Sequence, residues 1–241
     1  MPFSTAPGIK DEEALGLLVA ESGAGADDIV LDVACGPGLV VAAFAGVVRH
    51  ATGIDITPAM LERARDLARE RGLTNVRWDH GDVIPLPYAD GAFSIVSSRF
   101  AFHHFLDPAA VLAEMRRVCA HGGTIVVTDL LASSDPAKAA AFNRMEVLRD
   151  PSHVRALPLA ELEALLRDAG LTLRRRVFYQ LASEIEKLLE RSFPAPGDAD
   201  RIRALFAASL DDDGLGLDAR RHGATEIRFA YPIAILVADV P

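Results

Sequence analysis

Four polar segments in the first half of the chain contain the residues whose types and spacing could do chemistry. The first is a glycine-rich loop, Asp32-Val33-Ala34-Cys35-Gly36-Pro37-Gly38. Glycine allows a sharp turn and lets a ligand approach main-chain N–H groups closely. Because a lone Gly-x-Gly also occurs in ordinary strand–helix turns, the loop by itself does not identify a ligand.

Acidic side chains accompany the first three of these segments. Asp55 ends the second apolar run, where a carboxylate can accept hydrogen bonds from both ribose hydroxyls. Asp82 lies in Gly81-Asp82-Val83 and can accept a hydrogen bond from an exocyclic amine. Asp32 would repel a pyrophosphate but suits a cationic amino group. The three acids together indicate a ligand with a cationic end and no phosphate.

The fourth segment ends in two histidines. It reads Ser97-Ser98-Arg99-Phe100-Ala101-Phe102-His103-His104. Since an imidazole titrates near neutral pH, His103 and His104 are the candidate general bases, with His103 preferred. Either ring could instead hydrogen-bond to the backbone among the neighbouring phenylalanines. His153, in a polar break after a predicted helix, and Tyr179, at a predicted strand end, are candidate substrate contacts.

Alternating strands and helices must position these residues. Short apolar runs predict strands at residues 29–34, 51–56, 75–79, 93–97 and 124–130, with helical patterns between them. Strands separated in this way indicate βαβ units and a parallel sheet. We therefore expect the polar segments to meet on one rim of the sheet and to form a ligand cleft.

The second half of the chain is organised differently. Helices are predicted at residues 137–148 and 159–169, and strands at 171–179 and 227–237. Residues 180–225 are too many for a simple connection, so they predict a helical insertion that forms a lid over the substrate pocket. Residues 1–26 are predicted as an N-terminal helical segment, and residues 1–241 as a single domain.

The charge balance, the uncharged stretch and the cysteines indicate which binding partners and which compartment to expect. The 241 residues include 25 Lys+Arg and 34 Asp+Glu, giving a net charge of −9, which disfavours nucleic acid. The uncharged stretch 33–48 is shorter than the roughly 20 residues that span a bilayer, so no stable membrane insertion is expected. Two cysteines and an N-terminus without signal-peptide features predict a cytoplasmic protein. The sequence contains no Cys/His cluster, so no metal site is expected. The oligomeric state stays open, a homodimer included.

The motifs resemble those of class I S-adenosylmethionine-dependent methyltransferases, and within them the ubiquinone/menaquinone biosynthesis group. The resemblance rests on residues 32–38, on Gly53-Ile54-Asp55-Ile56-Thr57-Pro58-Ala59-Met60-Leu61, on Gly81-Asp82 and on Phe93-Ser94-Ile95-Val96. It covers about residues 27–131, the expected cofactor-binding core, and continues more weakly through residues 149–155. It implies an α/β fold, a Rossmann-like three-layer sandwich. The implied sheet is seven-stranded and mostly parallel, in the order 3-2-1-4-5-7-6 with the last strand antiparallel.

The resemblance also implies where S-adenosylmethionine lies. The residues implied to border its methionyl part are Asp32, Ala34, Gly36, Gly38, Ser98 and Arg99. The residues implied to hold its adenosine part are Asp55 at the ribose and Ile56, Met60, Asp82 and Val83 around the adenine.

The expected reaction is methyl transfer from this cofactor to a small, largely apolar organic molecule. The protein mainly has to align donor and acceptor and exclude water, and it needs a base only if the acceptor loses a proton. One alternative, a non-methylating isomerisation or cyclisation at the same cofactor site, shares every motif. The other is a non-catalytic cofactor-binding protein, against which the intact set Asp32, Gly36, Gly38, Asp55 and Asp82 argues. An NAD-linked dehydrogenase is disfavoured because Val41 stands where a dinucleotide fingerprint has glycine.

Overall fold

The computed structural model describes residues 11–223 and 226–241. The first ten residues of the predicted N-terminal helical segment and residues 224 and 225 of the predicted insertion lie outside that range. None of the helices in the described part of the chain combines the length and apolarity that crossing a membrane requires.

One mixed sheet organises the protein. Its strands are β1 (Ile29–Val33), β2 (His50–Asp55), β3 (Val76–His80), β4 (Phe93–Arg99), β5 (Cys119–Leu130), β6 (Thr172–Glu184), β7 (Arg220–His222) and β8 (Glu226–Asp239). Their order is β3-β2-β1-β4-β5-β8-β6, with β7 paired to β8 off this path. Neighbours among β1–β5 are parallel, whereas β8 is antiparallel to both β5 and β6. The predicted order is thus confirmed.

The predicted count of seven strands is short by one. The additional strand, β7, has three residues, all exposed, and pairs only with the beginning of β8. The sequence Arg220-Arg221-His222 contains no apolar residue, so no hydrophobic alternation marks it as a strand.

Helices cover both faces of the sheet. They are α1 (Asp11–Ser22), α2 (Leu39–Ala45), α3 (Pro58–Glu70), α4 (Pro108–Val118), α5 (Pro136–Arg149), α6 (Leu159–Asp168), α7 (Ile185–Glu190) and α8 (Asp198–Asp212). Proline begins α3, α4 and α5, and the carboxylates of Asp107 and Asp135 cap the latter two by accepting backbone N–H bonds. Alternate residues of β5, such as Val126 and Val127, belong to two different buried clusters. The arrangement is a three-layer sandwich.

Two strands extend beyond the body of the sheet. β6 was predicted to end at residue 179 but continues to Glu184, because its backbone stays paired with β8 through Glu184↔Arg228. The pairing of β5 with β8 stops at Leu130↔Ile233, so β6 and β8 continue past this pair as a two-stranded ribbon. The helices of the insertion, α7 and α8, follow directly from the ribbon.

Aromatic side chains pack the insertion against α5. The ring of Phe206 in α8 lies 4.6 Å from that of Phe229, which lies 5.2 Å from Tyr231 in the same strand, β8. Tyr231 in turn lies 6.1 Å from Phe142 of α5. Such pairs add favourable contacts beyond simple burial, so α8 is held to the domain through β8.

Candidate active site

The loop after β1 exposes backbone at one glycine and packs tightly at the other. Gly36 and Gly38 have φ angles of +51° and +81°. A Cβ added to Gly36 would meet no atom within 4 Å, so a ligand can approach the loop there. A Cβ on Gly38 would overlap the indole of Trp78 and lie 2.9 Å from the Cβ of Ala64. Packing between α3 and β3 therefore requires glycine at position 38.

Backbone strain marks two adjacent strand ends. Ala34, after β1, has a φ of +56°, and Phe100, after β4, has a φ of +54°. Residues other than glycine rarely adopt this region, and such positions cluster where a protein binds or reacts. Because β1 and β4 are neighbours in the sheet, both strained residues lie on the same rim.

Asp55 is oriented by the loop. Its Oδ2 accepts the N–H of Gly36 and its Oδ1 accepts the N–H of Thr57, both at 2.8 Å. A carboxylate has about four acceptor sites, so the same oxygens keep capacity for the two hydroxyls of a ribose. The next residue, Ile56, is 62 % exposed although it is aliphatic. A flat apolar ring such as adenine would cover such a side chain, and this pair fits an adenosine.

Asp32 provides a buried acidic group in the centre of the sheet. It lies opposite Ser97 in the register of β1 and β4, and its Oδ1 accepts the Ser97 hydroxyl at 2.7 Å. Burial raises the pKa of Asp32 to about 7, against the opposing effects of the Ser97 hydrogen bond and the Arg99 charge. A nearby cation would favour the ionised form, so this carboxylate fits the amino group of the cofactor's methionyl part.

The remaining predicted cofactor residues lie around these two acids. The hydroxyl of Ser98 donates to the carbonyl of Val33 at 3.0 Å and is fully buried, so it also ties β4 to β1. The guanidinium of Arg99 lies 4.2 Å from the centre of the Phe100 ring. Asp82 is exposed after β3 and accepts the N–H of Val83 at 2.6 Å.

Met60 is half-buried in the first turn of α3, the helix that follows Asp55. Val83 packs at the edge of a buried apolar cluster.

Three histidines meet beyond the end of β4. The ring of His103 lies 4.2 Å from that of His104 and 5.4 Å from that of His153. The carbonyl of His103 accepts the N–H groups of Val154 and Arg155, which brings the segment after α5 to this rim. His103 and His153 are each 4 % exposed. The structure thus assembles residues that are distant in sequence into one imidazole cluster.

A buried carboxylate that the sequence reasoning missed orients His103. Oδ1 of Asp129, in β5, lies 2.6 Å from Nδ1 of His103, and Oδ2 accepts the backbone N–H of the same residue. Burial lowers the pKa of His103, but the charge and hydrogen bond of Asp129 outweigh it, and the net pKa is raised. With Nδ1 engaged, Nε2 is the nitrogen left for proton exchange. The signal in the sequence was an acid near the carboxyl end of an apolar strand.

The pKa values of the other two histidines are shifted in the opposite direction, downward. Nδ1 of His104 lies 2.9 Å from the carbonyl of Ser152, and burial with the neighbouring His103 charge lowers its pKa. Nε2 of His153 lies 2.8 Å from Oδ1 of Asn143, and burial lowers the pKa of His153 to about 4. Of the three imidazoles, His103 is therefore the one whose pKa is shifted toward the protonated form.

Tyr179 belongs to the hydrophobic core. It is fully buried in β6, in the same apolar cluster as Phe142 and Phe206. Its contact with a substrate stays a prediction.

Known proteins share both the motifs and the fold. A family model described as a methyltransferase domain matches residues 31–127. The uncharacterized methyltransferase YcgJ of Bacillus subtilis (strain 168) is 33 % identical over 214 residues, which is 84 % of each chain. The ubiquinone/menaquinone biosynthesis C-methyltransferase UbiE of Bdellovibrio bacteriovorus is 38 % identical over 128 residues, 52 % of this chain and 54 % of that protein.

The likeness extends through the whole fold. The crystal structure of YcgJ from Bacillus subtilis matches with a TM-score of 0.88 at 28 % identity, covering 95 % of this chain and 98 % of that one. The matched methyltransferase domain contains Asp32, Gly36 and Asp55, the residues whose geometry fits S-adenosylmethionine. With a relative at 33 % identity across most of both chains, the protein belongs to the class I S-adenosylmethionine-dependent methyltransferases.

Proposed function

We propose that the protein methylates a hydroxyl or amino group of a small, largely apolar organic molecule and that His103 accepts the proton. The observation that carries the proposal is the buried His103–Asp129 pair, whose facing atoms lie 2.6 Å apart. A methyltransferase acting on a group without a labile proton has no need of an oriented base. The pair therefore favours an acceptor that loses a proton when it is methylated, and among such acceptors the proposal takes hydroxyl and amino groups.

The residues around the two acids hold the cofactor in this proposal. When bound, S-adenosylmethionine supplies an electrophilic methyl group on a sulfonium. Asp32 would pair with the amino group, Asp55 would accept the ribose hydroxyls, and the open backbone of Gly36 would border the methionyl part. Ile56 and Met60 would flank the adenine, with Asp82 and Val83 at its edge. Ala34, Ser98 and Arg99 would complete the methionyl side, while Gly38 shapes the loop through its packing against Trp78.

His103 and Asp129 act as a unit. Asp129 holds Nδ1–H of the ring, so Nε2 takes the proton that leaves the acceptor, and the carboxylate stabilises the resulting imidazolium. General-base assistance of this kind contributes about 10²- to 10⁴-fold in rate. His104 supports the cluster beside the base. The apolar insertion excludes water and, with Tyr179, lines the acceptor side. The two cysteines are buried free thiols, which suits a cytoplasmic protein of small-molecule metabolism.

Two variants test the assignment. The wild-type protein should bind S-adenosylhomocysteine in the micromolar range by calorimetry, and Asp55→Ala should weaken this binding at least about tenfold because about two hydrogen bonds are lost. In a screen of small phenols and amines, His103→Gln should lower the rate of methyl transfer by about 10²-fold or more while S-adenosylhomocysteine binding is retained.

The screen also separates the alternatives. Mass spectrometry of the product should show one added methyl group together with released S-adenosylhomocysteine. A rearranged product with the cofactor unconsumed would identify a non-methylating reaction. A His103→Gln variant that turns over at the wild-type rate would remove the base from the proposal.

A further inference from the structure

His153 carries a buried nitrogen without a described partner. The residue is 4 % exposed, and Nδ1 makes no hydrogen bond within residues 11–223 and 226–241. A buried polar group usually has a hydrogen-bond partner, and each exception calls for an explanation. The ring lies in the imidazole cluster, 5.4 Å from the proposed base His103.

The protonation of this nitrogen follows from its neighbours. Oδ1 of Asn143 accepts the N–H of Ala156 at 2.7 Å, while Nδ2 donates to the carbonyls of Ala139 and Ala156. These bonds fix the orientation of the amide, so the atom facing Nε2 of His153, at 2.8 Å, is an acceptor. Nε2 must therefore carry the proton, and Nδ1 of the neutral ring is a bare acceptor.

The surroundings keep the ring neutral. Burial and the charges of His103 and His104 lower the pKa of His153 to about 4. Near neutral pH the ring therefore does not compete with His103 for a proton. Because the two nitrogens of an imidazole point to nearly opposite sides of the ring, Nδ1 faces away from Asn143.

We propose that Nδ1 of His153 binds a second N–H or O–H donor of the acceptor molecule, beside the one whose proton His103 takes, and so selects acceptors that carry two protic groups on an apolar body, with aromatic diols as the model class. This inference rests on the proposed function, because the cluster is taken as the acceptor side of the site. His153 acts here as a specificity residue, and Asn143 positions it by fixing the tautomer. An acceptor without the donor leaves the buried nitrogen unpaired, which is the basis of strong discrimination against close analogues.

The test compares two probes that differ in one hydrogen-bond donor. Catechol and phenol are titrated into the full chain saturated with S-adenosylhomocysteine, and the ring ¹⁵N resonances of histidine-labelled protein are followed. Catechol should bind at least about tenfold more tightly than phenol and move the Nδ1 resonance of His153 upfield. Equal affinity for the two probes, or a Nδ1 resonance that catechol does not move, would overturn the inference.

Two substitutions check that the effect belongs to this nitrogen. His153→Phe keeps an aromatic ring but removes the acceptor, and it should abolish the preference for catechol over phenol. His153→Asn can place an amide oxygen near the position of Nδ1, and it should restore part of the preference. Both variants should bind S-adenosylhomocysteine as the wild type does. A wild type that does not bind S-adenosylhomocysteine would count against the proposed function, whereas a wild type that binds it without preferring catechol would count against this inference alone.

Discussion

Replacing Gly36 and Gly38 by alanine, one at a time, separates a glycine that a ligand requires from a glycine that the fold requires. Both have a positive φ, which costs alanine about 1–2 kcal/mol at either position. At Gly38 the new methyl also overlaps Trp78 and crowds Ala64, and overpacking of this kind costs about 1–3 kcal/mol. The expected loss of unfolding free energy is therefore about 2–5 kcal/mol for Gly38→Ala and about 1–2 kcal/mol for Gly36→Ala.

Thermal unfolding and calorimetry measure the two effects separately. For a chain of this size each kcal/mol lowers the Tm by about 2–4 °C, so Gly38→Ala should lose about 4–20 °C and Gly36→Ala about 2–8 °C. The order should reverse for S-adenosylhomocysteine. The Gly36→Ala methyl occupies the open approach to the loop and should weaken binding at least about tenfold, whereas folded Gly38→Ala should bind within about threefold of the wild type.

Either of two results would refute the reasoning. A Gly38→Ala protein as stable as the wild type would mean that Trp78 and Ala64 do not constrain this position. A Gly36→Ala protein that binds S-adenosylhomocysteine with unchanged affinity would mean that the open space beside Gly36 is not where the cofactor approaches.

Two further predictions concern pH. Asp129→Asn removes the charge that raises the pKa of His103. The rise of kcat/KM with pH reports formation of the neutral imidazole, so it should move to lower pH and reach a lower plateau. An unchanged pH profile would show that Asp129 does not set the pKa of the base. Burial raises the pKa of Asp32 from 3.8 to about 7. Between these pH values the unfolded state binds fewer protons than the folded state, so the stability of the ligand-free protein should fall as pH rises from about 4 to about 7. Urea unfolding of Asp32→Asn should lack that contribution while S-adenosylhomocysteine binding weakens, and a pH dependence identical to that of the wild type would contradict the buried-carboxylate assignment.

The strands that precede the predicted cofactor residues could be predicted from the local sequence. β1, β2, β4 and β5 are buried strands of a largely parallel sheet, and such strands appear in sequence as nearly uninterrupted apolar runs. Asp55 and the glycine loop were found because they stand at the end of β2 and directly after β1. The order of the strands followed from the resemblance and is confirmed.

Residues whose role depends on which strands are neighbours in the sheet were missed or understood only in part. Asp129 lies within an apolar run, and only the register of β4 with β5 places it beside His103, since Phe100 N–H bonds to the carbonyl of Thr128. Gly38 looked like a ligand contact from its spacing, but its packing against Trp78 depends on the position of β3. The end of β6 was placed too early because Gln180 and Ser183 interrupt the apolar pattern, while the backbone pairing with β8 continues.

The ribbon formed by β6 and β8 connects the insertion to the body of the sheet, so the two can be exchanged separately in engineering. Leu181 and Tyr231 are direct partners in this ribbon, so the polypeptide between them leaves and re-enters the domain at neighbouring points. A segment of different length or composition can be grafted between these partners without changing the register of the strands that carry Asp32, Asp55 and Asp129. Exchange of the insertion therefore requires no compensating change in the glycine loop, and chimeric proteins can be joined at these two positions.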